Sequence, residues 1–417
     1  MKDVVVIGGG IIGLSSAFYL RQSGHNVIVL DKDDFKNNCS YGNMGYVCPS
    51  HFIPLAAPGI VWQGIKWMFN SRSPFYVQPS LNLSLINWGW KFIRSAKKKN
   101  VETAAVPLKN IAVFSQKEYE EWTKTPGFDF AFEHKGVLEI FQTDNVAYHA
   151  AKTVEAGKKL GLDIELLDAK SLQALEPHTK INALGAIYFK CDAHLYPDKL
   201  MSLLKNYLKQ QGVQLITGEV TGFKKSKNEI ISILTSSNKD YTADEVIIAT
   251  GSWSRSIAAM LNAKIPMMPG RGYSFTLNNP VFKLNHPAIL TEGRVAITPF
   301  ENGNKMRYGG TMEIVNIKTP PRYHRVEGIV NAVKNFLPEC KIEMPSKEKI
   351  WYGFRPTSAD GLPYIGRIKK YRNVIIATGH AMLGLSLGAG TGKLVSELID
   401  EKKPGIDLTA FKVERFG

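Results

Sequence analysis

The chain has no run of eighteen consecutive apolar residues, which excludes a helix that crosses a bilayer on its own hydrophobicity. Cysteine is scarce. Cys39, Cys48, Cys191 and Cys340 are the only four in 417 residues, and they form no Cys-x-x-Cys pair and no zinc spacing. Free thiols in a reducing compartment are expected rather than a disulfide framework. The first strand-like run starts at Val4 and leaves no room for a secretory leader, so a cytoplasmic location is expected. Acidic residues are also few. Asp and Glu number 37 against 52 Lys and Arg, a formal charge of +15. Lys97-Lys98-Lys99, Lys224-Lys225 and Lys369-Lys370 read as solvated clusters that together favour anionic substrates or an anionic membrane surface. No nucleic-acid-binding motif accompanies this charge, so no nucleic-acid partner is expected.

Glycine, by contrast, is present where it matters. Val4-Val5-Val6-Ile7 is a β-branched run that reads as a buried parallel strand. It leads into Gly8-Gly9-Gly10-Ile11-Ile12-Gly13, which fits G-x-G-x-x-G, and then into a helical pattern ended by Gly24. Val27-Ile28-Val29-Leu30 is a second strand, closed by Asp31 eighteen residues after Gly13. Glycines in that context, with an acid at that distance, form the fingerprint of a dinucleotide-binding βαβ unit. Gly8 permits the tight turn, Gly10 lets a pyrophosphate approach the backbone, and Gly13 lets helix and strand pack closely. Ile7, Ile11 and Ile12 flank these contacts. The helix N-terminus offers free N–H groups and a positive dipole. Asp31, with Lys32 beside it, is placed to meet ribose hydroxyls.

The loop Cys39-Ser40-Tyr41-Gly42-Asn43-Met44-Gly45-Tyr46 is small and polar, and reads as backbone for a flat ring or as a plain turn. Residues 58–99 are aromatic and basic, holding Trp62, Trp67, Trp88 and Trp90 of the seven tryptophans. They read either as a membrane-docking segment or as short helices packed on the fold. A helix is expected over 105–122, with Pro107 at its start, and strands near Phe130–Glu133 and Val137–Phe141. Ala249-Thr250-Gly251-Ser252-Trp253 follows a strand as a second glycine turn. Gly353 to Gly392 supplies a further strand–glycine–helix unit, with Gly388, Gly390 and Gly392 opening a helix aimed at the cofactor. The expected fold is α/β: a Rossmann domain from 1–52, 192–262 and 350–417, interleaved with a mixed-sheet substrate (cap) domain from 53–191 and 263–349.

The fingerprint, the Ala249-Thr250-Gly251 turn and the Gly353–Gly392 segment resemble the FAD-dependent D-amino-acid oxidase superfamily over nearly the whole chain. Pro54-Leu55-Ala56-Ala57-Pro58-Gly59 with Ile65-Lys66-Trp67, and Gly310-Thr311-Met312-Glu313-Ile314-Val315, are similar to its bacterial D-amino-acid dehydrogenase branch. The resemblance implies a glutathione-reductase-like FAD domain. It also implies peripheral association with the inner face of the cytoplasmic membrane, and electrons passed to a quinone or another respiratory carrier. It implies oxidative deamination of D-amino acids, or of a secondary one such as D-hydroxyproline, by hydride transfer from Cα to flavin N5. An oxidase using O₂ and, from another class, a tRNA-modifying flavoprotein stand as alternatives.

By the same resemblance, Arg355 binds the substrate carboxylate, a task suited to a planar guanidinium. Ser40, Asn43, Gly45 and Tyr46 match the loop beside the flavin, and Val220 the residue at the adenine. Gly251 and Trp253 match the second turn. Gly379, His380, Leu383, Gly384 and Leu385 match the segment under the flavin; His380 reads equally as a packed core histidine. Tyr273, His51 and Glu313, with His194 and Tyr352, are candidates to line the substrate pocket, each also open to a structural role. No cysteine stands at Phe354 or Arg355, where a related branch carries its covalent link, so noncovalent FAD is expected.

Overall fold

In the computed structural model, which describes residues 1–36, 38–58, 74–80 and 82–416, the N-terminal β-branched run forms the strand Asp3–Ile7. It lies inside a six-stranded sheet, between Asn26–Asp31 and Glu245–Ile248, all parallel. Gln214–Thr217 and Val374–Thr378 extend the sheet in parallel, and Tyr364–Arg367 closes one edge antiparallel. Alternation along the central strand feeds two cores. Val4 and Val6 pack with the helices Ile11–Gln22 and Pro197–Gln210, while Val5 and Ile7 pack with Val220, Phe223, Ile230 and Ile233 of a three-stranded sheet. Both faces are therefore covered, which is why these strands are continuous apolar runs.

The nine-stranded sheet runs Trp351–Ser358, Met267–Asn278, Lys305–Ile314, Val295–Phe300, Ala288–Leu290, Val137–Phe141, Gly185–Phe189 and Ile164–Asp168, with Phe75–Val77 paired to Lys305–Ile314. A small antiparallel pair, Tyr46–Val47 with Ala193–His194, ties the loop after Asp31 to this half. Trp351–Ser358, expected to open the last piece of the nucleotide domain, pairs instead with Met267–Asn278.

Three local expectations are corrected. Phe130–Glu133 is not a strand but a single bridge from Glu133 to His194, because Ala131 adopts φ 54° and breaks the extension. The helix expected to start near residue 105 starts at Lys98 and runs to Thr123 with Pro107 inside it. Leu108, Ile111, Ala112, Tyr119 and Trp122 bury its later turns, and that packing outweighs the roughly 3 kcal/mol cost of an interior proline. Gly388, Gly390 and Gly392 serve helix packing rather than a ligand. A Cβ on Gly388 would lie 2.6 Å from Ile11, and one on Gly390 2.8 Å from the Ser115 backbone.

The aromatic-basic stretch lies only partly within the described residues. Ile60, Trp62, Ile65, Trp67, Met68 and Phe69 fall outside them. Leu83–Ser95 is a helix, capped by Asn82, whose side chain accepts from the Ser84 N–H. Trp88 anchors it, buried and donating to the Thr357 carbonyl at 3.0 Å. Leu83, Ile86, Trp90 and Ile93 remain 81%, 54%, 55% and 57% exposed, spaced to share one face. Among the described residues, no helix is long and apolar enough to cross a membrane.

Candidate active site

A cavity of about 2050 Å³ runs from the carboxyl ends of the parallel strands to the nine-stranded sheet. Ligand pockets usually span roughly 300–1,000 Å³, so this one has room for a large cofactor together with a substrate.

Its first end is made of backbone. Ile7, Gly8, Gly10, Ile11, Ile12, Asp31 and Lys32 line it. Gly8 holds φ 113°, and a Cβ there would overlap the Ala249 carbonyl, so the turn demands glycine. Gly10 differs: its φ of −78° suits any residue, and the nearest atom to an added Cβ is Ser40 Oγ at 3.7 Å. A side chain at Gly10 would instead project into the cavity at the helix N-terminus. Asp31 bridges the Gly9 N–H at 2.5 Å and the Asp33 N–H at 2.9 Å, and burial pushes its carboxyl up. Lys32 lies over Trp253. Val220, Gly251 and Trp253 complete this end.

The loop after Asp31 forms the middle. Ser40 Oγ accepts from the Ile11 N–H at 3.0 Å and so closes the helix N-terminus. Arg307 donates to the Tyr41 and Asn43 carbonyls, both at 2.7 Å, Ser274 to Gly42, and Thr298 to Met44. Four consecutive carbonyls are thus taken by side chains of the sheet, which fixes a loop with no regular structure. Ser40, Asn43 and Tyr46 line the cavity; the Tyr46 hydroxyl turns away and donates to Ala288 and Ile297 carbonyls. His380, Leu383, Gly384 and Leu385 also line it. The His380 ring meets Thr391 at 3.0 Å, and burial pushes it down to about 3, so it is neutral.

The far end holds Arg355. Its Nη1 donates to the Thr311 carbonyl at 2.6 Å, and among the described residues no carboxylate pairs with it. Desolvation pushes its guanidinium down to about 10. The guanidinium lies across Gly272, where any Cβ would overlap it. Gly272 was not singled out from sequence; Arg271-Gly272-Tyr273 carries no spacing that announces it. Tyr273, Tyr352 and His51 line the same cavity. Tyr273 offers its ring only, since its hydroxyl donates to Glu313 at 2.8 Å and accepts from the Arg322 N–H at 2.7 Å.

Several expected site residues do not reach the cavity wall. Glu313 is fully buried beneath it, paired with Arg271 at 2.8 Å and Arg325 at 3.1 Å, so its expected catalytic place is corrected to an internal ion pair. Gly13 packs on the Gly8 carbonyl, Gly45 on the Leu195 carbonyl, and Gly379 against the Tyr364 ring at 2.8 Å. His194 is buried in its short strand pair. Conversely, Glu139 and Arg294 line a further lobe that sequence reading passed over. A lone acid inside Val137-Leu138-Glu139-Ile140-Phe141 was the available signal.

A dinucleotide-type glycine backbone at one end of a cavity and, at the other, a half-buried cation with no acidic partner among the described residues define an enzyme that works with a nucleotide cofactor. Comparison with known proteins makes the class specific. Residues 3–398 match the DAO family, described as FAD dependent oxidoreductase. D-amino acid dehydrogenase of Helicobacter pylori is 32% identical over 400 residues, covering 95% of this chain and 94% of that protein. D-amino acid dehydrogenase of Granulibacter bethesdensis is 29% identical over 426 residues, covering 99% of each. Glycine oxidase from Geobacillus kaustophilus superposes with a TM-score of 0.77 at 22% identity, over 99% of this chain and 98% of that one, and so shares the fold. The chain belongs to the DAO family of FAD-dependent oxidoreductases. Its cofactor is FAD, and the cavity fits it: Gly10 leaves open the space at the helix N-terminus that a side chain would fill.

Proposed function

We propose that this protein is a D-amino-acid dehydrogenase in which Arg355 holds the carboxylate common to all its substrates. The observation that carries the reading is a half-buried guanidinium, facing a cavity, with no acid to neutralise it among the described residues. Burying a cation alone is costly, and a carboxylate entering the cavity relieves that cost while being oriented by two parallel hydrogen bonds. Gly272 lets the guanidinium lie flat, and the Thr311 carbonyl fixes one of its nitrogens. When bound, FAD takes up the two electrons removed from the substrate's Cα–N unit. The resulting imino acid hydrolyses to a 2-oxo acid and ammonia, or opens if cyclic, as with D-hydroxyproline.

The same reading assigns 1–52, 192–262 and 350–417 to the FAD-binding part and the rest to the substrate part, with Trp351–Ser358 lending its strand to the substrate sheet. FAD is held noncovalently. Cys39, a thiol of the cavity wall, is engaged with the Phe354 backbone, and burial pushes it up. Acid precipitation should release yellow FAD; flavin left in the pellet would refute this. Gly10→Val should purify colourless.

Electrons pass to a quinone-type carrier at the inner face of the cytoplasmic membrane. The exposed face Leu83, Ile86, Trp90 and Ile93, followed by Arg94 and Lys97–Lys99, supports docking on anionic lipid. Co-sedimentation with anionic liposomes should fall with salt and with Trp90→Ser/Ile93→Ser. The function is tested by an anaerobic screen of D- and L-amino acids followed by flavin bleaching. Bleaching by D-amino acids without hydrogen peroxide in air supports a dehydrogenase; peroxide at the rate of turnover would make it an oxidase.

A further inference from the structure

The pairing of Tyr46–Val47 with Ala193–His194 brings the turn Cys48-Pro49-Ser50-His51 against Cys191-Asp192. The His51 N–H donates to the Cys48 carbonyl at 3.2 Å, which curls Cys48 and His51 to one side. Donor atoms of Cys48, His51 and Asp192 lie within 4.8 Å of one another. Cys191 Sγ stands 3.6 Å from Asp192 Oδ1. Asp192 is fully buried and has no basic partner among the described residues; it accepts from the Ser50 N–H at 3.0 Å, the Ser50 hydroxyl at 2.5 Å and the Cys191 thiol. His51 Nδ1 is buried with no hydrogen-bond partner. A carboxylate, a thiol and an imidazole thus converge, a second thiol stands beside the carboxylate, and among the described residues no cation lies between them.

We propose that Cys48, His51, Asp192 and Cys191 bind one divalent metal ion of the zinc class. Two sulfurs, a nitrogen and an oxygen make a donor set that zinc accepts in tetrahedral geometry. Zinc bond lengths place donors roughly 3.3–3.8 Å apart, so Cys48, His51 and Asp192 need to close by only about 1 Å, while Cys191, 3.6 Å from Asp192, turns in to complete the set. Binding expels the two thiol protons and replaces two S–H bonds by two metal–thiolate bonds. Cys48 and His51 line the cavity, while Cys191 and Asp192 follow the strand Gly185–Phe189 of the nine-stranded sheet. The ion therefore staples the cavity wall to that sheet. The spacing Cys-x-x-His was present in the sequence but is hidden when only Cys-x-x-Cys pairs are sought. This site stands independently of the amino-acid reading.

The test uses the full flavoprotein, purified without chelator or metal-affinity tag. Elemental analysis should find about one zinc per chain. Cobalt exchanged into the site should give d–d absorption to the red of the flavin bands. Cys48→Ser/Asp192→Asn should lower bound metal roughly tenfold or more, and Cys340→Ser, which lies in a different core, should leave it unchanged. If the double variant fails to fold, the wild type still decides the matter. Chelator-stripped protein should take up one zinc and thereby protect Cys48 and Cys191 from alkylation, read by peptide mass spectrometry. Less than a tenth of an equivalent of zinc with no uptake on reconstitution, or a Cys48–Cys191 disulfide, would overturn the proposal.

Discussion

Arg271 and Arg355 stand on neighbouring antiparallel strands, one register step apart: Arg271 faces Phe354, and Gly270 faces Arg355. Opposed residues share a face and successive residues alternate, so the two arginines leave the sheet on opposite sides. On one side, Arg271 meets Glu313, which also pairs with Arg325 and receives the Tyr273 hydroxyl. On the other, Arg355 meets glycine, a carbonyl and open space. Two guanidiniums on neighbouring strands, Arg271 fully buried and Arg355 half-buried, thus have different surroundings. The paired one holds strands together; the other is, on the proposed function, the seat of the substrate carboxylate. A buried arginine points to function when its counter-ion is missing, not because it is buried.

The largest expected effect on this contrast comes from Glu313→Gln. It removes the carboxylate that Arg271 and Arg325 share, and breaking a buried pair costs about 3–5 kcal/mol, to be read by urea unfolding. The fraction that remains folded should keep FAD and normal kcat/KM. Loss of kcat/KM at unchanged stability would move Glu313 into the chemistry and erase the distinction. Next, Gly272→Ala should push the Arg355 guanidinium aside and lower kcat/KM roughly 10- to 100-fold with little change in flavin content, since small misplacements of a positioning group are expensive. An unchanged kcat/KM would mean that the flat seat of Arg355 is irrelevant.

The smallest effect concerns a buried neutral imidazole on the cavity side. His380 in the folded protein titrates near 3, against 6.5 when exposed. The unfolded chain therefore takes up the proton first. The stabilisation is complete above about pH 6.5 and is lost as pH falls toward 3, amounting to about 2 kcal/mol between pH 7 and pH 5. His380→Gln should flatten that part of the pH–stability curve. An equally steep curve in the variant would place the acid sensitivity elsewhere.

What the sequence made legible follows the same division. The nucleotide end is built by backbone that is local in the chain, so glycine spacing and Asp31 encode it directly. The substrate end is built by side chains from distant strands, and which arginine finds an acid depends on register. Glu313 looked like a pocket residue because its partner Arg271, forty-two positions away, is joined to it only by strand pairing. Arg355 was legible through family resemblance, but its lack of a partner was not. The triple glycine at 388–392 looked like a ligand turn because close helix packing and close ligand approach ask for the same residue.

The central claim is that Arg355 binds the carboxylate, and Arg355→Ala tests it most directly. Truncating one partner of a buried charge-assisted pair costs about 2–5 kcal/mol, so kcat/KM should fall roughly 30- to 4000-fold. The loss should be similar across several amino acids, with FAD content unchanged, Arg355→Lys intermediate, and amines without a carboxylate unaffected. Near-normal efficiency in a flavin-loaded Arg355→Ala enzyme would contradict the account.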